Sequence, residues 1–279
     1  MDGTALVLGG GGAVGGAWLV GMLAGLADAG VDLDRPDVIL GASAGAIFGA
    51  RLAAGESPRA LYEGQLAGDN RVDLKVSAAQ TLRFLWAALS SKDPERSVRR
   101  LGRAALAART GPQTEVFDTV RMLLGGVREW PERPLRIAVV DALTGELEAF
   151  DRHTRPTFVE AVAASCAVPI VWPPVTADGR RWMDGGSRST APLELARGHR
   201  RVLAIVPIPA AVGPHPHARQ QAAELTAGGT SVVLLTPDAA ARRAMGRNMT
   251  ADHRRPAAAR AGHGQAAAVA DTVADLLRG

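Results

Sequence analysis

The residues with the clearest chemical potential form the pentapeptide Gly41-Ala42-Ser43-Ala44-Gly45. It matches the pattern GxSxG, in which a serine lies on a sharp turn between a strand and a helix. Small neighbours leave room for strained dihedral angles and for an incoming carbonyl group. The start of the following helix would stabilise negative charge beside the serine. The pattern predicts a nucleophile for acyl transfer, and an ordinary turn of small residues in a chain rich in alanine and glycine is the alternative.

A stretch of four glycines, Gly9 to Gly12, follows a short apolar run near the amino terminus. Acyl transfer needs hydrogen-bond donors directed at the developing oxyanion. Backbone amides in a glycine-rich turn at a helix start can supply them without ordering a side chain. Gly10, Gly11 and Gly12 are therefore candidates for an oxyanion hole.

The same stretch has a second interpretation. Gly10, Gly12 and Gly15 match GxGxxG, the phosphate-binding turn of a dinucleotide-binding fold. Such a fold also places an acidic residue at the end of its second strand. The acidic residues at a suitable distance all precede that strand: Asp28, Asp32 and Asp34. We therefore favour the oxyanion hole, and a dinucleotide-binding module stays an alternative.

A carboxylate in a second glycine-rich turn is the third chemical feature. Asp184 comes just past a predicted strand and precedes Gly185 and Gly186. In one chain with a GxSxG serine and a glycine-rich loop, it is a candidate base for Ser43. The six histidines lie mostly next to Arg, Pro or Gly in polar segments. Only His199 keeps a modest chance of a catalytic role, because it follows both the serine and the aspartate in chain order.

Alternating strands and helices must position these residues. Strands are predicted at residues 4–8, 37–40, 135–140 and 147–150, in a segment ending at 183, and at 202–206 and 232–235. Helices are predicted after the first two strands, over 57–130 as an insertion or cap, at 156–164 and from 238 onward. This order predicts an α/β fold with a mainly parallel sheet covered by helices on both faces. Without a convincing linker, one domain over residues 1–279 is expected.

With three motifs in this order, the chain resembles the patatin-like phospholipase family, including its bacterial members. The similar segments are Gly9–Gly16, Gly41–Gly45 and Asp184–Gly186, and the run from Ala164 to Val175 ahead of the aspartate is also similar. The resemblance covers most of residues 4–210. It implies a three-layer α/β/α fold.

The resemblance also implies a serine acyl hydrolase that cleaves lipid carboxylic esters, such as lysophospholipids or other long-chain esters. Ser43 would attack the carbonyl to form an acyl-enzyme, and Asp184 would accept its proton and later activate water. The remaining residues implied are the glycines of the oxyanion loop, the elbow and the aspartate turn: Gly10, Gly11, Gly12, Gly15, Gly41, Gly45, Gly185 and Gly186. The chain departs from the family at Val14, where many members carry Arg or Lys, which removes a positive charge near the site.

Composition limits the partners and cofactors. The net charge is +4, but the arginines are dispersed through Ala-rich segments and aromatic residues are only 4%, so nucleic-acid binding is not expected. Cys166 is the single cysteine, which excludes an intrachain disulfide, and it is expected to be a buried packing residue. No spacing of the HExxH kind occurs, so we expect neither a metal nor a cofactor.

The sequence also bears on location and membrane contact. No apolar stretch reaches about 18 residues, and Met1 and Asp2 lead directly into the first strand without an export leader, so a soluble cytoplasmic protein is expected. Any membrane contact would be peripheral. The stretch Thr81–Leu89 could lie at a lipid interface, although an ordinary core-packing helix is favoured.

Three of the five tryptophans have a predicted position. Trp18, Trp86 and Trp172 are expected to pack in the core or line an acyl pocket.

Because a fold does not fix a function, a catalytically weak lipid-binding or scaffold protein on the same fold is a further alternative.

Overall fold

The computed structural model describes residues 3–72 and 76–279 of the chain. Met1 and Asp2, on which the expectation of a missing export leader depends, lie outside the described residues. So do residues 73–75, within the predicted helical insertion.

The described residues form eight strands and eleven α-helices. Strands β1 to β8 are Thr4–Leu8, Val38–Gly41, Leu135–Asp141, Leu147–Phe150, Val175–Ala177, Arg180–Asp184, Arg201–Ile205 and Ser231–Leu235. Helices α1 to α11 are Gly12–Asp28, Ala44–Ala53, Pro58–Ala67, Ala78–Leu89, Pro94–Leu106, Gln113–Leu123, Phe158–Ser165, Ala218–Ala227, Ala239–Met245, Arg255–Ala266 and Ala270–Arg278. Every predicted strand is present, and β5 is a strand that the sequence analysis does not predict.

One sheet organises the chain. Its strands pair in the order β5, β6, β3, β2, β1, β7, β8, and β4 also pairs with β3. The pairs among β3, β2, β1, β7 and β8 are parallel, whereas β4 and β6 run antiparallel to β3, and β5 antiparallel to β6. The mainly parallel α/β fold is confirmed, with an antiparallel part around β3 and β6.

Successive side chains of each strand point to opposite faces of the sheet, and an apolar core lies on each face. Leu6 and Leu8 of β1 face the larger core, to which α1, α2, α7 and α10 contribute. Ala5 and Val7 face the smaller core, which α8 and a short 3-10 helix over Leu193–Ala196 cover. The chain therefore has helices on both faces of its sheet, as the resemblance implies.

The helices within residues 57–130 pack in different places. Helix α3 contacts α1, α6 contacts α7, and α4 pairs with α5. Two assignments stay predictions: residues 1–279 as one domain, and residues 57–130 as a cap or insertion. Within the described ranges, none of the helices is both long and apolar enough to cross a membrane.

Helix α4 differs from the expected core-packing helix. Four of its five large apolar side chains are exposed: Leu82, Leu85, Trp86 and Leu89. The helix makes its contact through Ala87, which packs with Leu101 of α5 and with Ile170, and the partly buried Phe84 packs against the same cluster. The prediction that Trp86 lies in the core or an acyl pocket is wrong, because its side chain is 70% exposed. Trp18 is fully buried, as predicted.

Helices α1 and α10 approach each other closely through glycines. A Cβ atom on Gly21 of α1 would overlap the carbonyl oxygen of Ala259, and one on Gly262 of α10 would overlap the carbonyl oxygen of Trp18. Neither position leaves room for a methyl group. The two backbones are therefore in direct contact.

Gly262→Ala should lower the free energy of unfolding by about 2 kcal/mol or more, because the added methyl group forces α1 and α10 apart. Gly264→Ala is the matched control: Gly264 lies in the same helix, is exposed, and its added Cβ would have no atom within 4 Å. This control should raise the free energy of unfolding by about 0.5–1 kcal/mol through helix propensity. Urea unfolding followed by circular dichroism measures both, and equal effects of the two substitutions would contradict the close approach.

Candidate active site

Ser43 lies on a strained turn between β2 and α2. Strand β2 ends at Gly41 and α2 begins at Ala44. The backbone of Ser43 has φ +52° and ψ −120°, a backbone conformation that residues other than glycine rarely adopt. The turn directs the serine out of the sheet at the start of a helix, where the amide dipoles favour negative charge.

The two outer glycines of the pentapeptide are required by close packing. A Cβ on Gly41 would lie 2.6 Å from the carbonyl oxygen of Gly45. A Cβ on Gly45 would overlap the carbonyl oxygen of Leu8, at the end of β1. The GxSxG pattern therefore follows from the space between β1, β2 and α2.

A second serine, which the sequence analysis does not identify as functional, holds the turn. The amide of Ser43 donates a hydrogen bond of 3.0 Å to Oγ of Ser165. Ser165 is fully buried at the end of α7. The only signal in the sequence is its place in the run Ala164–Val175. Ser165 fixes the backbone of Ser43 from a distant part of the chain.

Asp184 is the last residue of β6 and is buried. Its amide donates to the carbonyl oxygen of Ala167 at 2.9 Å. Its carboxylate oxygen Oδ1 accepts a hydrogen bond of 2.7 Å from the amide of Gly186. The turn that follows thus fixes the orientation of the carboxylate.

Strand pairing explains why Ser43 and Asp184 meet. Strand β4 occupies one edge of β3, so β2 and β6 share the other edge. Strand β2 runs parallel to β3 and ends with Gly41 opposite Ile137, whereas β6 runs antiparallel and ends with Asp184 opposite Val139. The two strands meet head-on along β3. The serine just after one end and the aspartate at the other are brought together.

Burial away from water raises the pKa of Asp184 to about 6. The hydroxyl of Ser43 and the amide of Gly186 act in the opposite direction and limit the rise. Oδ2 of Asp184 has no hydrogen-bond partner among the described residues, so the hydroxyl of Ser43 faces the carboxylate without a hydrogen bond of standard geometry. This oxygen is available to accept a proton.

The glycine loop lies against Ser43. A Cβ on Gly10 would be 3.3 Å from Cβ of Ser43. The amide of Gly10 donates to the carbonyl oxygen of Thr190 at 2.8 Å, so it is already occupied. The amides of Gly11 and Gly12, at the start of α1, have no acceptor within the described ranges. Two of the three predicted donors therefore have no acceptor among the residues that the structure describes.

The other motif positions serve packing. A Cβ on Gly15 would lie 2.9 Å from Cβ of Pro207, and one on Gly185 would overlap the carbonyl oxygen of Ala138. Val14, where many family members carry a basic residue, is fully buried in the larger core. Its amide donates to the carbonyl oxygen of Met249 at 3.0 Å, which holds the start of α1.

Two cavities meet at Ser43. One has a volume of about 180 Å³ and is lined largely by apolar side chains of α2 and α6, and by Trp172, which was predicted to line such a pocket. The other is a cleft that also contains Gly11, Gly12 and Asp184. A nucleophile at this junction can reach the carbonyl group of a substrate whose apolar chain occupies the first cavity.

The histidines lie elsewhere. Ring nitrogen Nδ1 of His199 is 3.0 Å from the carbonyl oxygen of Ala196, and the residue lines a pocket with Val38 and Leu135 at the amino-terminal ends of β2 and β3. Ser43 follows the opposite end of β2. No histidine belongs to the part of the cleft that the structure describes. His199 is therefore not placed to act on the serine.

Cys166 lines the 180 Å³ cavity beside Ser43. Burial, with a smaller contribution from the charge of Asp184, raises the pKa of its thiol well above the usual value. A neutral thiol is a poor nucleophile. This agrees with a packing residue at the floor of the site, although Cys166 is half-buried and not fully buried as expected.

Comparisons with known proteins show the family of the chain. A family model described as patatin-like phospholipase matches residues 6–197. No curated protein sequence is significantly similar to the chain.

Several solved structures match the chain at low sequence identity. VipD from Legionella pneumophila is 14% identical, with a TM-score of 0.47, over 98% of this chain and 67% of that chain. ExoU from Pseudomonas aeruginosa, in complex with SpcU, is 17% identical, with a TM-score of 0.41, over 99% of this chain and 52% of that chain. Human GIVD cytosolic phospholipase A2 is 14% identical, with a TM-score of 0.40, over 99% of this chain and 60% of that chain. The chain thus spans about half to two thirds of the length of these proteins.

The family model covers more than half of the chain and contains all three motifs, from the glycine loop to the aspartate turn. The chain belongs to the patatin-like phospholipase family, a class of lipid ester hydrolases.

Proposed function

We propose that the chain hydrolyses lipid carboxylic esters through an acyl-enzyme, with Ser43 as the nucleophile and Asp184 as its base. One observation carries the proposal. A buried carboxylate, one oxygen of which accepts no hydrogen bond from the described residues, faces a serine held at positive φ between a cavity and a cleft. Both groups are costly to the fold, and functional sites are where such strain is retained.

In the first half of the reaction, Oγ of Ser43 attacks the ester carbonyl carbon while its proton passes to Oδ2 of Asp184. A pKa near 6 makes this carboxylate a stronger base than an ordinary aspartate and still leaves it ionised at neutral pH. The tetrahedral intermediate then collapses. The alcohol leaves with the proton from Asp184, and the acyl group stays on Ser43.

In the second half, a water molecule attacks the acyl carbon and gives its proton to Asp184. The intermediate releases the carboxylic acid, and the proton returns to Oγ of Ser43. The oxyanion of both intermediates would be held by the free amides of Gly11 and Gly12. Gly10 supports them indirectly, because its amide is tied to Thr190 and so fixes the loop.

The 180 Å³ cavity favours an apolar acyl chain. Its lining from α2 includes Ile47 and Phe48, and its lining from α6 includes Val116 and Val120. Burying an acyl chain here releases about 0.8 kcal/mol for each methylene group. Lysophospholipids and other long-chain esters are therefore the substrates to test first.

Dinucleotide binding has weaker support. At the carboxyl end of β2, where that fold needs an acidic residue, this chain has the turn of Ser43. Asp28 instead ends α1 and interacts with His263 at 2.9 Å. The close approach of Gly10 to Ser43 also limits the space above the loop.

Ser43→Ala and Asp184→Asn should each lower kcat by about a thousandfold or more, because the nucleophile and its base act as one unit. For the same reason, the double variant should be no worse than either single variant. Rates are measured on a long-chain p-nitrophenyl ester and on lysophosphatidylcholine. Asp178→Asn, in the exposed turn before β6, is the matched control and should keep the wild-type rate. An active Asp184→Asn enzyme would contradict the dyad.

Asp184→Asn should not lower the melting temperature at pH 8. The folded pKa of Asp184 lies above its ordinary value of 3.8, so its contribution to stability is fully present below that value and is lost as pH rises through about 6. The ionised carboxylate thus costs the fold about 3 kcal/mol, which an uncharged amide avoids. Scanning calorimetry distinguishes this loss of function from unfolding, and a variant that melts well below the wild type would contradict the account of Asp184.

The kcat/KM for a short-chain ester should fall as pH drops below about 6, because a protonated Asp184 cannot accept the proton of Ser43. An aspartate with an ordinary pKa would keep full activity down to about pH 5. A pH profile with the midpoint near 4 would contradict the proposed burial of the base.

A further inference from the structure

Helix α4 presents an apolar stripe to solvent. Its members are spaced at i, i+3, i+4 and i+7, which puts them on one face of the helix. Their exposed fractions are 70% for Leu82, 45% for Leu85, 70% for Trp86 and 64% for Leu89. Contiguous exposed apolar surfaces of this kind mark interaction sites. We refer to these four residues as the α4 stripe.

The α4 stripe belongs to a basic part of the chain. Residues 78–109 contain seven Arg and Lys but two Asp and Glu, a net charge of +5, whereas the whole chain carries +4. Helix α5, which pairs with α4, turns a row of arginines to solvent: Arg96, Arg99, Arg100 and Arg103. The pair of helices therefore combines an apolar face with a strong positive charge.

Two arginines hold this charge at the ends of the α4 stripe. Arg100 of α5 donates to the carbonyl oxygen of Ser90 at 2.6 Å, next to Leu89. Arg83, which follows Leu82 on α4, donates to the carbonyl oxygen of Ala104 on α5 at 3.2 Å. Both guanidinium groups connect the two helices, so their positions do not depend on flexible side chains alone.

The same helix borders the catalytic cleft. Phe84, on the side of α4 away from the stripe, lines the cleft with Ser43 and Asp184. The side chain of Gln80 donates to the carbonyl oxygen of Ile170 at 3.2 Å, which joins α4 to the rim of the cleft. A surface that binds the α4 stripe would therefore lie close to the mouth of the cleft.

We propose that the α4 stripe and the arginines of α5 dock on the surface of an anionic phospholipid bilayer. A leucine- and tryptophan-rich face beside basic side chains is the composition of helices that lie in a membrane interface. The 12 residues of α4 are too few to span a bilayer. A second copy of the chain is a poor occupant, since a twofold interface would bring two surfaces of the same +5 charge together.

Docking would bring lipid esters to Ser43, and that consequence rests on the proposed function. The docking itself does not. It can be measured with vesicles of ether-linked phosphatidylcholine and phosphatidylglycerol, whose chains contain no carboxylic ester to hydrolyse. A failure to bind and a failure to catalyse are thus separate results.

The wild-type protein should cosediment with ether-lipid vesicles that contain about a third phosphatidylglycerol. Its affinity for vesicles of ether-linked phosphatidylcholine alone should be about tenfold lower. Binding should shift the fluorescence of Trp86 to shorter wavelength, and Trp86→Phe should remove most of this shift while cosedimentation persists. Leu82→Ser with Leu89→Ser should weaken binding by about tenfold. Met122→Ser, an exposed apolar residue of α6, is the control that should bind normally.

Two double substitutions of arginine test whether the positive charge of α5 contributes to binding. Arg96→Gln with Arg103→Gln should weaken binding to the anionic vesicles by about tenfold, and Arg219→Gln with Arg243→Gln, two exposed arginines on α8 and α9, should not. All these side chains are exposed, so circular dichroism should be unchanged. Equal binding of the stripe variants and their control would overturn the proposal. So would a dimer in light scattering that the stripe variants dissociate, which would assign the surface to a second copy.

Discussion

The site depends on the pairing of two strand ends with one edge of β3. Because β2 runs parallel and β6 antiparallel to β3, Gly41 and Asp184 lie on either side of a single position of β3, Ala138. Neither strand can continue without meeting the other. The backbone leaves the sheet on both sides at this point, into the turn of Ser43 and into the glycine turn after Asp184. The sheet thereby joins parts of the chain that are far apart in sequence.

The surrounding structure keeps this junction in a costly state. Ser43 has positive φ, and so does Ile170, a β-branched residue in the loop between α7 and β5. Asp184 is buried with a raised pKa. Groups of this kind persist where neighbouring packing determines their positions. Here Ser165 holds the amide of Ser43, and the glycines at 41 and 45 let β1, β2 and α2 close around the turn.

Local patterns in the sequence predict most of the fold and the three motifs of the site. Apolar runs bounded by glycine give the parallel strands, because burial on both faces leaves a continuous apolar signal. Strand β5 gives no such signal, since it has three residues in a Pro-rich stretch. The hydrogen bonds from Ser43 to Ser165 and from Gly10 to Thr190 join residues more than a hundred positions apart, which spacing cannot predict. The exposure of Trp86 is likewise set by tertiary packing, because an apolar helical stripe has the same sequence spacing whether it faces a core or solvent.

The most direct test of the central claim is to find which residue reacts with a fluorophosphonate probe. The protein is labelled, digested and analysed by peptide mass spectrometry, with the Asp184→Asn protein treated in parallel. The account predicts one adduct, on Ser43, which forms much more slowly when Asp184 is replaced. A folded protein without an adduct on Ser43, or with the adduct on Ser187 of the same cleft, would contradict it.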